Sequence, residues 1–289
     1  YRYRSIFEEK KEKRMNIQEY SQKIGLQEPV RVFLMGDNHL SYADAREGER
    51  ERAHAKVRNI DFFSCGQGES YLQKTYEGLL GACRDDGDLL VMVGDVIDHP
   101  SARNRELLAV AAGMHPVYAI GNHDYNNYAV EHESAALLAQ RVPMFYETLG
   151  FAPYNRVTRQ GGMQFVTLDN TGYQFSEEGI ACVRSACRSG LPTVLVFHVP
   201  LFCEDLVEPT VAYWKIPILC GCPDGMYEKA PPVSETTARM LQLIAKEPTI
   251  VAVLAGHIHF AYAGRLPCGK MQYVCEAGYL NSASRIVFS

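Results

Sequence analysis

Short apolar runs alternate with longer mixed stretches along most of this chain, and this alternation is what most constrains its fold. The apolar runs are short enough to be buried strands, and Gly, Asn, Asp or Pro bounds them. They lie at 30–35, 89–93, 117–120, 163–168, 193–197, 250–254, 271–275 and 286–288. The stretches with helical character lie at 71–84, 102–112, 131–149, 177–189 and 234–246. Alternating strands and helices predict an α/β protein.

The chain length allows one large core, because single cores stop growing at roughly 250–300 residues and this chain has 289. We predict an N-terminal extension at 1–28 with helical potential and a single domain at 29–289. Two segments interrupt the alternation and are predicted as insertions. Segment 41–70 is polar and charged, whereas segment 201–233 is rich in Pro, Gly and aromatic residues. Long irregular segments are often functional lids, and a flexible surface excursion is the alternative for 41–70.

The net charge and the cysteine content limit which partners and which cellular compartment we expect for this protein. The 29 Lys and Arg residues are outnumbered by 34 Asp and Glu residues, a net charge of −5, so nucleic acid is not an expected partner. No apolar run approaches the roughly 18–20 residues of a membrane span. The nine cysteines, an odd number in a long chain, favour free thiols in a reducing compartment. We expect a cytoplasmic protein that acts on a small substrate. The oligomeric state stays open, as does a leader removed ahead of Tyr1.

Histidine and acidic residues collect just after the apolar runs. These strand-end residues are Asp37, His39, Asp95, Asn122, His123, His198, His257 and His259. Ligand sites of open α/β sheets lie outside the carboxyl ends of the strands, so the side chains are expected to meet at one edge. Carboxylate, imidazole and amide donors without a thiolate suit divalent Mn, Fe, Zn, Ni or Co.

The number of donors favours two metal ions over one. Without His123, seven candidates remain, which is more than one ion normally takes from a protein. Asp95 is the natural carboxylate to bridge two ions. Such a pair, roughly 3.5–4 Å apart, can bind a phosphoryl group, activate a water and stabilise an in-line displacement.

Five short motifs, spread over residues 37–259, resemble those of a known family. The motifs are Asp37-x-His39, Gly94-Asp95-x-x-Asp98, Gly121-Asn122-His123-Asp124, His198 and Gly256-His257-x-His259. Taken in this order, they are similar to the motifs of the calcineurin-like metallophosphoesterase superfamily. The resemblance implies a four-layer α/β/β/α sandwich, in which two mixed β-sheets flanked by helices carry a dinuclear metal centre.

The resemblance also implies a role for each motif residue. Asp37, His39 and His259 would bind the first ion, Asn122, His198 and His257 the second, and Asp95 both. His123 would not bind metal but would protonate or stabilise the leaving alkoxide, while Asp124 orients its imidazole. Asp98 would have a supporting role. The implied reaction is attack by a hydroxide, bridging two divalent or mixed-valence ions, on the phosphorus of a small phosphomonoester or phosphodiester.

Two alternative functions stay open within the same superfamily. A DNA nuclease would need a positively charged groove, for which the composition provides no surplus of cations. A non-catalytic scaffold similar to the retromer subunit would be expected to have lost catalytic residues, whereas His123 and every ligand position are present here. Protein Ser/Thr phosphatase activity is disfavoured, because that branch carries Arg and Glu where this chain has His99 and Asp124.

The second predicted insertion begins directly after His198. Its aromatic residues are Phe202, Tyr213, Trp214 and Tyr227. We predict that they form a wall or lid over the metals. Packing among themselves is the alternative.

Overall fold

A computed structural model describes residues 14–130, 134–223, 226 and 232–289 of the chain. Its strands are β1 (Asn16–Gln22), β2 (Val30–Met35), β3 (Leu89–Met92), β4 (Val117–Tyr118), β5 (Arg156–Gln160), β6 (Met163–Thr167), β7 (Thr193–Val196), β8 (Ile250–Ala255), β9 (Tyr262–Arg265), β10 (Met271–Val274) and β11 (Ser282–Phe288). Its α-helices are α1 (Glu49–Val57), α2 (Tyr71–Asp86), α3 (Ala102–Ala112), α4 (Asn122–Tyr125), α5 (Ala135–Leu149), α6 (Glu177–Cys187), α7 (Glu204–Trp214) and α8 (Glu235–Lys246). A π-helical turn at Arg58–Phe63 and a 3₁₀ turn at Gly278–Leu280 complete the helical elements of the described residues.

The strands form two mixed sheets. The first has the order β1-β11-β2-β3-β4, in which β11 runs parallel to β1 and antiparallel to β2. The second has the order β5-β6-β7-β8-β10-β9, with parallel inner strands and an antiparallel strand at each edge. Parallel neighbours end on the same side of a sheet, so β2, β3 and β4 deliver their following loops to one edge, and so do β7 and β8.

The core is divided into three layers by the two sheets. In β2, Val32 and Leu34 pack into the layer between the sheets, whereas Phe33 and Met35 pack against the helices outside the first sheet. This alternation follows from the two-residue period of a strand. Helices α6 and α8 pack in the third layer, outside the second sheet. The arrangement of helices, sheet, sheet and helices confirms the predicted four-layer sandwich.

The prediction of helical character for the extension 1–28 requires a correction. Residues 1–13 lie outside the described part, but Asn16–Gln22 forms strand β1 and pairs with β11. The sequence of β1 is polar and contains no apolar run from which a strand could be predicted. This is because β1 is an edge strand whose residues are mostly exposed or half-buried. The division of the chain into an extension, one domain and two insertions otherwise stays a prediction. Segment 41–70 holds α1 and the π-helical turn, and segment 201–233 holds α7.

Among the helices of the described residues, none has both the length and the apolar character needed to cross a bilayer.

Candidate metal centre

The predicted ligands meet at one edge of the sandwich, and both sheets contribute to them. The loops after β2, β3 and β4 bring in Asp37, His39, Asp95 and Asn122, and those after β7 and β8 bring in His198, His257 and His259. Two groups of three side chains have donor atoms within 4.8 Å of one another and could each hold a metal ion. These groups are Asp37, His39 and His259, and Asp95, His198 and His257. They match the two predicted ligand sets apart from Asn122 and the sharing of Asp95.

A third group of donors joins the other two. It consists of His39, Asp95 and His123. His123 therefore lies close enough to the centre for its ring to compete for a metal, although the motif resemblance implies a different role. Asn122 begins α4 directly before His123 and is buried, and its Nδ2 donates a hydrogen bond to the Tyr128 hydroxyl at 3.0 Å. The Oδ1 atom of Asn122 has no hydrogen-bond partner, as expected for an oxygen kept for a cation.

Each of the four histidines among the predicted ligands has one ring nitrogen held by a neighbour. Nδ1 of His198 lies 2.7 Å from the Val93 carbonyl, and Nδ1 of His39 lies 3.0 Å from Asp98 Oδ1. Tyr173 and Tyr279 place their hydroxyls 3.0 Å and 3.3 Å from the rings of His257 and His259, respectively. Metal-binding histidines show this pattern, because the outer partner fixes the ring and leaves the inner nitrogen for the metal.

The inner nitrogens face one another in pairs. Nε2 of His39 lies 3.2 Å from Nε2 of His259, and Nε2 of His198 lies 3.0 Å from Nδ1 of His257. Two such nitrogens can share at most one proton, or both can point their lone pairs at a cation. The donor set therefore fits two metal ions.

The electrostatics of the donors also suit a metal. Burial lowers the pKa of His39 to about 4 and that of His257 to about 3, so both rings are neutral at physiological pH. Burial would raise the pKa of Asp95, but the nearby imidazoles, with His198 foremost, keep it well below its usual value. Burial opposes protonation of His198 as well, yet the Asp95 and Asp37 carboxylates raise its pKa to about 9. A divalent cation can replace that proton between the same carboxylates.

Five of the seven predicted ligands have a left-handed backbone. The φ angles of Asp37, His39, Asp95, His257 and His259 lie between 45° and 71°. A non-glycine residue in this region costs roughly 1–2 kcal/mol, and such residues cluster at functional sites. The surrounding fold holds each of these residues in a sharp turn that the strand alone would not make.

Two motif glycines allow the loops after β3 and β4 to touch. A Cβ atom on Gly94 would overlap the backbone of Gly121, and a Cβ atom on Gly121 would overlap both the backbone nitrogen and the Oδ1 atom of Asp95. Glycine is therefore required for the close approach of these two backbones.

Replacing Gly121 by Ala is expected to displace Asp95 and to weaken metal binding. Overpacking of this kind costs about 1–3 kcal/mol of stability, which thermal unfolding would measure, and metal content would report the displacement. Gly113→Ala is the matched control, because Gly113 has a negative φ and nothing lies within 4 Å of the new methyl group. Equal metal content in both variants would contradict the steric argument.

The carboxylate that faces His123 is Asp98, which corrects the predicted role of Asp124. Nδ1 of His123 lies 3.0 Å from Asp98 Oδ1. The Asp124 carboxylate instead accepts hydrogen bonds from the backbone N–H groups of Gly121, Asp95 and Ile97 at 2.7–3.0 Å. Asp124 therefore ties together the loops after β3 and β4.

Several residues that support the predicted ligands could not be predicted from the sequence. Arg58 donates two hydrogen bonds to Asp98, and Tyr173, Tyr279 and Tyr128 contact predicted ligands through their hydroxyls. None of them belongs to a motif, and no local pattern in the sequence marks them.

Trp214 forms part of a wall beside the first group of donors. Its ring lies 4.9 Å from the His259 ring in an edge-on arrangement, and its Nε1 donates to the Ile258 carbonyl at 2.9 Å. Tyr213 packs between Trp214 and Phe260 and is about half exposed. Trp214 therefore lies beside a predicted ligand and Tyr213 packs against Trp214, whereas a wall over the metals stays a prediction and Tyr227 lies outside the described residues.

The chain matches one family model and is similar to several solved structures. The sequence model of a family described as calcineurin-like phosphoesterase matches residues 30–261. A dimetal phosphatase from Danio rerio is a similar solved structure, with 12% identity over 86% of this chain and 88% of that chain and a TM-score of 0.47. A phosphopantetheinyl hydrolase from Mycobacterium tuberculosis has 15% identity over 86% and 90% of the two chains and a TM-score of 0.43. No protein with a curated description matches the chain.

Proposed function

Because this chain belongs to the calcineurin-like phosphoesterase family, we propose that it uses two divalent metal ions to hydrolyse a small phosphomonoester or phosphodiester. Family membership makes the protein a phosphoester-hydrolysing enzyme. The number of ions, the role of each residue and the substrate are the parts we propose. The observation that carries the proposal is the paired set of inner histidine nitrogens, with the outer nitrogen of every ring held by a neighbour.

The proposed ligands divide between the two ions. Asp37, His39 and His259 would hold the first ion, Asn122, His198 and His257 the second, and Asp95 both. When bound, two such ions supply Lewis acidity toward the phosphoryl group and an activated water. The chain itself keeps the His39 and His257 rings neutral and fixes the direction of the histidine rings. Divalent Mn, Fe, Zn, Ni and Co all suit nitrogen and oxygen donors of this kind.

His123 is the proposed proton donor to the leaving group. Burial opposes its protonation, but the carboxylates of Asp95 and Asp98 raise its pKa above the ordinary value of 6.5. Since Nδ1 faces Asp98, Nε2 is the nitrogen available to pass a proton to a departing oxygen. The ring is 17% exposed, so a substrate can reach it. An imidazole held in this way is suited to general acid catalysis near neutral pH.

Removal of metal is expected to abolish hydrolysis, and restoring metal is expected to recover it. The protein would be stripped with a chelator and supplied separately with Mn²⁺, Fe²⁺, Zn²⁺, Ni²⁺ or Co²⁺. Activity would be measured on p-nitrophenyl phosphate and on bis(p-nitrophenyl) phosphate, and bound metal by elemental analysis. We expect about two metal equivalents per chain in the active form. Full activity after stripping, or no hydrolysis of either ester with any of these metals, would contradict the proposal.

The DNA-nuclease alternative differs in the charge that it requires. Binding of duplex DNA through phosphate contacts weakens steeply as salt increases. With a net charge of −5, we expect this protein to show no salt-dependent affinity for DNA. A fluorescence anisotropy titration at two salt concentrations would measure this, and tight, salt-sensitive binding would favour the nuclease.

A further inference from the structure

Arg58 lies close to the candidate metal centre, although it does not follow a strand as the predicted ligands do. It comes from the segment 41–70, where it begins the π-helical turn after α1. Its Nε donates to Asp98 Oδ2 at 2.8 Å and its Nη2 donates to Asp98 Oδ1 at 2.7 Å. Asp98 is almost fully buried, and Arg58 is only 21% exposed. A two-point pair between guanidinium and carboxylate fixes the direction of both groups.

The same carboxylate faces two functional imidazoles. Asp98 Oδ1 lies 3.0 Å from Nδ1 of His39 and 3.0 Å from Nδ1 of His123. One of these rings is a proposed ligand of the first ion, and the other is the proposed proton donor. A shift or rotation of Asp98 would therefore move a metal ligand and the proton donor together.

Arg58 is itself held by its surroundings. Its guanidinium lies over the rings of Phe62 and Phe63, at 5.6 Å and 4.6 Å from their centroids. Phe63 in turn stacks on His39, with ring centroids 4.3 Å apart and planes 8° from parallel. Cations and aromatic faces attract each other at such distances, so the guanidinium is fixed in position before a substrate arrives.

The buried side-chain amide of Asn59 links the two ends of segment 41–70. Asn59, next to Arg58, donates from Nδ2 to the carbonyls of Ser41 and Glu69, which lie at the two ends of the segment. Ser41 also places its hydroxyl 3.4 Å from Asp98 Oδ2. The π-helical turn is therefore anchored to the chain on both sides, and π-helical turns occur frequently at functional sites.

From these contacts we infer that Arg58 is a positioning residue, which holds Asp98 in one orientation and thereby fixes His39 and His123 relative to each other. The inference rests on the proposed function, because it assigns His39 to a metal and His123 to the leaving group. Without the guanidinium, Asp98 would be a buried carboxylate beside two imidazoles and would lack a permanent cation, an arrangement that proteins avoid. Asp98 would then be free to rotate away from the two rings.

The test compares Arg58→Gln and Arg58→Lys with the unaltered full chain. For Arg58→Gln we expect kcat to fall about 10–100-fold and the affinity for Mn²⁺, measured by calorimetry, to fall by about tenfold or more at one site. KM is expected to stay within about twofold, because Arg58 acts through Asp98 rather than on substrate. Arg58→Lys is expected to recover part of both losses, since it restores the charge without the two-point geometry. Arg239→Gln, which removes an exposed ion pair with Glu177, is the control.

Two results would overturn the inference. An increase in KM at unchanged kcat would make Arg58 a substrate-binding residue, and unchanged kcat, KM and Mn²⁺ affinity would leave it no functional role. Should Arg58→Gln unfold, the same comparison is made with Arg58→Lys alone and with Asp98→Asn in the presence and absence of Arg58→Lys. If Arg58 acts through Asp98, the second substitution adds no further loss, whereas multiplied losses would contradict the inference. The Mn²⁺ measurement distinguishes failure of the Arg58 inference from failure of the proposed hydrolase function, because it does not depend on any esterase activity.

Discussion

Replacing Asp95 by Asn is expected to cause a large loss of activity together with a loss of bound metal. Asp95 belongs to the second donor group and also lies near the first, with Oδ2 at 3.2 Å from His198 Nε2 and 3.8 Å from His39 Nε2. Loss of its charge removes the proposed shared ligand, so bound metal should fall from about two equivalents to one or none. Because bound ions supply several kcal/mol of transition-state stabilisation, kcat/KM should fall by about 10³-fold or more.

Asparagine is the informative replacement because the left-handed backbone at this position tolerates it. Asn is several-fold enriched at positive φ, and the φ of Asp95 is 49°. Its amide oxygen can still accept from the backbone N–H of His123, which lies 2.8 Å from Asp95 Oδ1. The fold should therefore survive, as circular dichroism would verify. Asp85→Asn, on the exposed end of α2, is the control. Two retained metal equivalents with normal turnover in Asp95→Asn would remove the bridging role.

Replacing His123 by Ala is expected to lower kcat while leaving the metals in place. General acid catalysis typically contributes about 10²–10⁴-fold, so a loss of that size is expected for an alkyl phosphate, whose alkoxide must be protonated as it leaves. The loss should be much smaller for p-nitrophenyl phosphate, whose phenolate leaves readily without a proton. Steady-state kinetics on the two substrates, together with metal analysis, would measure both effects.

The leaving-group dependence distinguishes a proton donor from a metal ligand. If His123 binds metal, as its place in the third donor group allows geometrically, His123→Ala would lose metal and would slow both substrates equally. His115→Asn, in an exposed turn with a φ of 49°, is the control because Asn accepts that backbone.

The strands that the sequence did not predict share one physical property. They are β1, β5 and β9, and each is an edge strand of its sheet. An edge strand is open to water on one side and needs no continuous apolar run, and β5 and β9 show mostly exposed or half-buried residues. The inner strands were predictable because both of their faces are buried. Helix α1 interrupts the alternation of apolar runs for a related reason, since more than half of its residues are charged and it buries only Ala55.

The site was predictable at the level of which residues meet, but less so at the level of which atoms touch. The ends of the strands determine where Asp95, Asn122 and the other predicted ligands lie, irrespective of the exact conformation of the loops. Which carboxylate contacts His123 depends on the hydrogen bonds at the start of α4. There Asp124 occupies the third helical position and accepts from the backbone N–H of Gly121, which precedes the helix. An acidic residue at that position commonly reaches back in this way, a local rule that could have excluded Asp124 as the partner of His123.

The division of the donors between the two sheets has a consequence for biosynthesis. The ribosome delivers Asp37, His39, Asp95 and Asn122 early, but the last two histidines of the set follow only after β8. The first sheet also waits for β11, which separates β1 from β2. A nascent chain therefore carries an incomplete donor set until His259 has been synthesised, and its first sheet cannot be completed until β11 has been synthesised.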